Sequence, residues 1–213
     1  MWKIGDVPAD GKAVLGPMSG FTFASYRDFM KPFGVAVSIT ELTSSAGIIH
    51  DSERTGSMYV DFGPNYPTGL QLFGSNPEEI AKAACIASKM NPNVSFFDIN
   101  MGCPVPKVLR SGSGSALMSD PGRCGEIVRA VKAATGMPVT IKTRLGKSLE
   151  SINFREILDA TISAGADAVA IHARTVKERY TGQPHYDMVE GLQKELAVPL
   201  IISGNIYSLG DAI

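Results

Sequence analysis

The chain is 213 residues long and 44% hydrophobic, enough to bury a core within one domain, and its 20 basic and 21 acidic residues leave a net charge of −1. That balance announces no nucleic-acid or membrane partner in bulk, so any such partner must be met locally. Cys85, Cys103 and Cys124 lack C-x-x-C spacing, and no window approaches the roughly 18 apolar residues of a membrane span, which excludes a disulfide framework, a cysteine zinc site and a membrane helix and leaves a soluble, cytoplasmic monomer as the expectation.

In chain order, short Val- and Ile-rich runs predict strands over 13–18, 35–42, 69–74, 96–101, 138–146, 168–174 and 199–205. Helical periodicity falls between them, over 25–33, 77–90, 121–135, 153–165 and 186–196. Asn76 before Pro77 and Asp120 before Pro121 are helix starts, and Gly136 and Gly165 follow helix ends. Residues 43–67 form a longer, irregular stretch and a candidate lid. The alternation is that of βα units around a parallel sheet, and polar residues recur at the C-terminal ends of the strands, where barrel sites are built. The expected fold is therefore an α/β TIM (β/α)8 barrel with about seven βα units present. An eighth strand is missing, and such barrels typically need roughly 250 residues, so the chain is expected to be one barrel domain of a longer protein.

The strand ends present Pro17 and Met18, Glu41, Gln71, Asn100 with Cys103, Lys142 with Arg144, His172 with Arg174, and Gly204 with Asn205. Singly, each has a plain structural explanation: carboxamides form turns and lysines are solvated. Converging on one mouth, they suit a ligand with a phosphate and a flat hydrogen-bonding ring system. Lys142 alternates with Ile141 and Thr143, which sends it to the opposite face of the strand, toward a barrel interior where an unpaired ammonium is costly and serves a ligand or a catalytic step. His172, beside Arg174, fits anion binding better than a satisfied core histidine.

Cys85 and Cys124 read as inert helix-packing thiols, whereas Cys103 lies past a strand end between Gly102 and Pro104, the setting of an exposed and fixed loop. A thiol there could be a nucleophile, a metal ligand or a proton donor. Only His50, His172 and His185 could join it on a metal, without ligand spacing, and nothing suggests a histidine paired for covalent catalysis. A thiol of reference pKa about 8.5 can serve as a general acid at neutral pH. The G-x-G within 110-RSGSGSALM-118 follows a loop and lacks a third glycine, so it reads as a hinge for the Cys103 loop and not as a dinucleotide fingerprint.

Together, 16-GPMSGFT-22 with Tyr26 and Arg27, 40-TELTSSAGI-48, 69-GLQLFGS-75, 98-DINMGCPVPKV-108 with 111-SGSGSALM-118, 139-VTIKTRLG-146 and 171-IHARTVKERYTG-182 resemble the tRNA-dihydrouridine synthases, FMN-dependent enzymes on a barrel with a C-terminal helical domain. The resemblance covers nearly the whole chain. It implies that Cys103 is the general acid, with Asn100 beside it at the reacting pyrimidine. It further implies that Pro17, Met18, Gln71, Lys142 and His172 hold FMN, that Gly204 and Asn205 begin a phosphate-binding loop, and that Arg174 and Tyr180 shape the substrate side. NADPH is the implied reductant and uridine in tRNA the implied substrate, with hydride delivered to C6 and a proton from Cys103 to C5. The chain departs from the pattern at 204-GNIYS-208, where the family usually continues GNGDI, and it lacks the eighth strand and the helical domain. Three rivals stand beside this reading: a dihydropyrimidine or dihydroorotate-type flavin dehydrogenase, a barrel lyase using Lys142 as a Schiff base, and a catalytically dead RNA-binding relative.

Overall fold

Alternation of apolar and polar residues in the central strands gives the sheet two differently lined faces, and the fold follows from burying both. The computed structural model describes residues 1–50 and 67–212. It opens with a hairpin of two short antiparallel strands, β1 (Trp2–Ile4) and β2 (Val7–Ala9), turning at Gly5 with φ of 59°. The sequence pattern predicts no strand here, because neither segment carries the Val- and Ile-rich run that marks the other strands. The chain continues through β3 (Ala13–Leu15), α1 (Ala24–Met30), β4 (Val35–Ile39), β5 (Thr43–Ser44), α2 (Ser45–His50), β6 (Thr68–Phe73), α3 (Pro77–Met90), β7 (Phe96–Asn100), α4 (Pro106–Leu109), α5 (Pro121–Thr135), β8 (Val139–Arg144), α6 (Phe154–Ser163), β9 (Ala168–His172), β10 (Leu200–Ser203) and α7 (Leu209–Ala212).

Among the described residues, seven parallel strands form one curved sheet in the order β3-β4-β6-β7-β8-β9-β10, with β5 paired to the end of β6. The result is a nearly closed barrel with one open seam between β3 and β10, as the seven predicted strands require. The outer face carries Leu70, Leu72, Phe97, Ile99, Val139, Ile141, Val169 and Ile171, packed against Ile80, Ala84, Ile127, Val131, Ile157 and Leu158 of α3, α5 and α6. Each fully buried Ile or Val is worth roughly 1.5–3 kcal/mol of transfer free energy, so this layer holds the helices on the sheet. Asn76 caps α3 by accepting from the backbone N–H groups of Glu78 at 2.9 Å and Glu79 at 3.1 Å, and Asp120 caps α5 through Arg123 N–H at 3.0 Å.

The inner face begins with an apolar floor of Phe96, Ala168, Ile39 and Val37, closed by Ile4 and Ala9 of the hairpin. Gly69 belongs to this floor: a Cβ there would lie 2.3 Å from the Phe96 ring. Above it, Gln71, Asp98 and Thr140 form one rung of neighbouring strands, and Arg144 pairs with His172 at the mouth.

Two predicted elements differ. The helix expected over 186–196 is a pair of 3₁₀ turns, Tyr186–Met188 and Leu192–Lys194, because Gly191 between them takes a left-handed φ of 73° that no α-helix continues through. The helix expected over 25–33 tightens into a 3₁₀ turn at Lys31–Phe33, where Pro32 supplies no N–H and Gly34 turns left-handed. Of the candidate lid at 43–67, the first part is β5 and α2, and residues 51–66 lie outside the described residues.

Candidate active site

β7 ends the apolar run 96–100 by placing Phe96, Asp98 and Asn100 on the interior face, one above another. The Asn100 side-chain oxygen accepts from the backbone N–H groups of Cys103 at 2.9 Å and Gly102 at 3.3 Å. Its nitrogen donates to Gln71 Oε1 at 3.0 Å, and Gln71 Nε2 donates to Asp98 Oδ2 at 2.6 Å. The other Asp98 oxygen takes the Thr140 hydroxyl at 2.5 Å. Burial raises the Asp98 carboxyl above its ordinary value, against the lowering effect of Thr140, Gln71 and Lys142.

Cys103 is half-buried and free. Its carbonyl accepts from Ser115 N–H at 3.0 Å, and Gly114, with φ of 62°, packs so closely that a Cβ would lie 2.7 Å from that carbonyl and 3.2 Å from the Cys103 Cβ. The glycine-rich segment is thus folded onto the thiol's own backbone. The thiol lies within electrostatic reach of both Lys142 and Arg144.

Lys142 pairs in register with Asn100 and Ala170 and faces the interior, as its alternation predicts. Among the described residues its ammonium has no hydrogen-bond or ion-pair partner. Burial lowers its pKa to about 8, opposed by Asp98, reinforced by Arg144 and opposed by Cys103. His172 is buried, and burial together with the charges of Arg144, Lys142 and Arg174 pushes its pKa down to about 3, against the opposing effect of Glu178. The ring is neutral at physiological pH. Arg174 Nη1 lies 3.1 Å from His172 Nε2, and because a guanidinium only donates, Nε2 is the acceptor and Nδ1 carries the proton.

The arginines bind loops. Arg174 is 1% exposed and donates to the carbonyls of Thr181 at 3.1 Å and Gly182 at 2.7 Å. Arg144 donates to Gly102, Thr175 and Arg179 carbonyls at 3.2, 2.9 and 2.8 Å and lies 5.5 Å from the Tyr180 ring centre. Tyr180 is 75% exposed, its ring 6.1 Å from that of His172. Glu178 accepts from Thr175 N–H and hydroxyl and pairs with His185 at 2.7 Å; burial alone would raise its pKa, but these partners hold it down at about 2.

At the end of β10, Gly204 (φ of 125°) abuts His172, where a Cβ would meet Cδ2 of the ring and Pro184 at 3.2 Å, and its carbonyl accepts from the Tyr186 hydroxyl. Asn205 takes a left-handed φ of 47° and accepts from the Tyr207 hydroxyl at 3.1 Å. Pro17 and Met18 close β3 at the other side of the seam; Met18 N–H donates to the Thr22 hydroxyl at 2.9 Å. No hydrogen bond among the described residues links Pro17 or Met18 to the other candidates. Gln71, Asn100, Cys103, Lys142, His172, Arg174, Tyr180 and Gly204 do gather at one mouth. Sequence reasoning left Asp98 out of the site and noted Arg144 only as a strand end. The readable signal for Asp98 was its place two residues before Asn100 on the same strand face.

Among the described residues no cluster of His, Cys, Asp and Glu could hold a metal ion, and no helix is long and apolar enough to cross a membrane. Residues 14–213 match the family model described as dihydrouridine synthase (Dus). The chain is 32% identical to tRNA-dihydrouridine synthase B of Vibrio vulnificus and 31% identical to that of Shewanella oneidensis, in each case over 97% of this chain and 63% of the relative. It therefore spans less than two thirds of the length of these relatives. The crystal structure of 2,3-dimethylmalate lyase superposes with a TM-score of 0.55 at 15% identity, over 94% of this chain and 69% of that one, a likeness of fold alone.

Proposed function

Because this chain belongs to the dihydrouridine synthase family, we propose that it is the barrel of an FMN-dependent oxidoreductase that reduces the C5–C6 bond of uridine in tRNA, with NADPH as the reductant. The observation that carries this reading is the mouth itself: a thiol on a backbone held by Asn100, next to a neutral imidazole and an ammonium without a hydrogen-bond or ion-pair partner among the described residues. A helical tRNA-gripping domain C-terminal to the barrel completes the proposal for the whole protein, a cytoplasmic monomer.

The donor set fits a flavin mononucleotide. The Lys142 ammonium, paired with nothing among the described residues, suits an electron-rich or anionic edge, and His172, neutral and protonated at Nδ1, adds a donor that carries no charge. Gln71 lies on the rung below, and Gly204 with Asn205 forms a turn in left-handed backbone beside the histidine, where a phosphate could approach the main chain. Pro17 and Met18 would flank the ring from β3. When bound, FMN supplies the hydride that adds to C6 of the pyrimidine.

The chain's own residues supply the rest. Cys103 gives its proton to C5, so that with the hydride added at C6 the ring gains two electrons and two protons in all, and the thiol becomes a thiolate that solvent reprotonates. Asn100 fixes the backbone from which Sγ projects and faces the base; Arg174 orders the 175–182 loop that carries Tyr180 on the substrate side. The base must leave its stack to reach this mouth, which costs a few kcal/mol. A lowered lysine is also what the Schiff-base lyase reading needs, and borohydride trapping of a carbonyl substrate on Lys142 would favour it. The deciding test is flavin absorbance of the purified full-length protein, followed by dihydrouridine content of tRNA incubated with it and NADPH. A flavin-free protein that forms no dihydrouridine would overturn the proposal.

A further inference from the structure

The interior face of β7 carries a carboxylate that neither the substrate nor the cofactor reading uses. Asp98 is 0% exposed and touches no proposed ligand group, yet both its oxygens are bonded, to Gln71 at 2.6 Å and Thr140 at 2.5 Å. Its chemistry constrains what lies above it. As a carboxylate, Asp98 has no hydrogen to give and offers Gln71 only an acceptor. Gln71 must therefore turn its amide nitrogen to Asp98 and leave its oxygen for Asn100. Asn100 must then turn its nitrogen down to Gln71, at 3.0 Å, and its oxygen out to the backbone N–H groups of Gly102 and Cys103. An amide side chain has nearly the same shape when flipped end for end, so packing alone does not select between its two orientations.

We propose that Asp98 is a positioning residue that sets the polarity of a Gln71–Asn100 relay, and through that relay holds the backbone at Cys103. A consequence concerns the ligand. With both lone-pair directions of the Asn100 oxygen taken by backbone N–H groups and one amide hydrogen given to Gln71, Asn100 has one N–H and no acceptor left to offer. The ligand atom that meets it is an acceptor, as a ring carbonyl oxygen is. The functional weight of the relay rests on the reading of Cys103 as the acid, but its existence does not.

The test is the rate of iodoacetamide labelling at Cys103 in the full-length protein, read peptide by peptide by mass spectrometry with Cys85 and Cys124 as internal references. Gln71→Glu, which sets two carboxylates against each other, and Asp98→Leu, which removes the acceptor, each break the donor–acceptor order and are expected to accelerate labelling of Cys103 about fivefold, the change in opening expected when one buried hydrogen bond is lost. The combined variant Asp98→Asn with Gln71→Glu places the donor at 98 and the acceptors at 71, and is expected to return to the wild-type rate. Wild-type labelling in Asp98→Leu, or a combined variant as fast as Gln71→Glu, would overturn the proposal. If the single variants do not fold, a folded combined variant supports the relay and an unfolded one overturns it. Dihydrouridine formation is followed in parallel: its absence from the wild-type protein counts against the proposed function and leaves the labelling comparison intact.

Discussion

Replacing Lys142 by methionine, which keeps the length of the side chain and removes its charge, should stabilise the fold at neutral pH while weakening flavin retention. Burial is the largest influence on this ammonium and lowers its pKa from 10.5 to about 8. At about 1.4 kcal/mol per pH unit, that difference sets a ceiling of roughly 3 kcal/mol on the penalty of holding the charge in the barrel. The attraction of Asp98 is already contained in that difference, so the gain is at most about 3 kcal/mol, or ~6–12 °C in Tm for a chain of this size. The sign with pH follows from proton counting. Below pH 8 the lysine is charged in both states and the penalty is complete; between about 8 and 10.5 the unfolded state binds more protons, so wild-type stability rises with pH and the advantage of Lys142→Met shrinks. Urea unfolding of both proteins at pH 7 and pH 10.5 measures the difference at each end. A variant less stable than wild type at pH 7, or a difference that does not change with pH, would refute the reasoning.

Cys103→Ala should retain flavin and NADPH oxidation while dihydrouridine formation falls by about 10²–10⁴-fold, the usual contribution of a general acid; undiminished product would remove the thiol from proton donation. Gly114→Ala should destabilise by roughly 2–4 kcal/mol, since it adds the strain of a left-handed φ to a Cβ 2.7 Å from the Cys103 carbonyl. Gly112→Ala, with φ of 70° but its nearest neighbour at 3.4 Å, should cost only about 1–2 kcal/mol, and equal effects in urea unfolding would show that the close approach does not matter. Because burial and neighbouring cations hold His172 at about 3 in the folded protein, its imidazole gains a proton in the unfolded state first, and stability falls as pH drops from about 6.5 toward 3. His172→Gln should flatten that part of the acid-unfolding curve, and an unchanged slope would contradict the buried neutral ring.

The strands β4, β6, β7, β8 and β9 were legible because each runs five or six residues, and the polar members Gln71, Asn100, Lys142 and His172 are the ones that fold into the mouth. What stayed hidden has specific physical causes. The hairpin of β1 and β2 offers three residues per strand, WKI and VPA, with no Val- and Ile-rich run to mark them. The 186–196 segment has helical spacing but depends on the backbone angle at Gly191, which spacing does not encode. The bond of Asp98 to Gln71 exists only once β6 and β7 pair in this register. The partners of Arg144 and Arg174 are mainly backbone carbonyls, and a carbonyl has no signature in a sequence.

Those carbonyl partners bear on the energetics of any ligand that enters. A free arginine at a binding site surrenders rotamer freedom when it closes on a ligand, typically about 0.5–1.5 kcal/mol for each long side chain immobilised. Here Arg144 is tied to the loops after β7 and β9, and Arg174 to the loop after β9 and to His172, before anything binds. Their positive charge is delivered to the mouth by side chains already ordered when the protein folded, so a ligand meets a fixed electrostatic field whose entropic cost belongs to folding and not to binding.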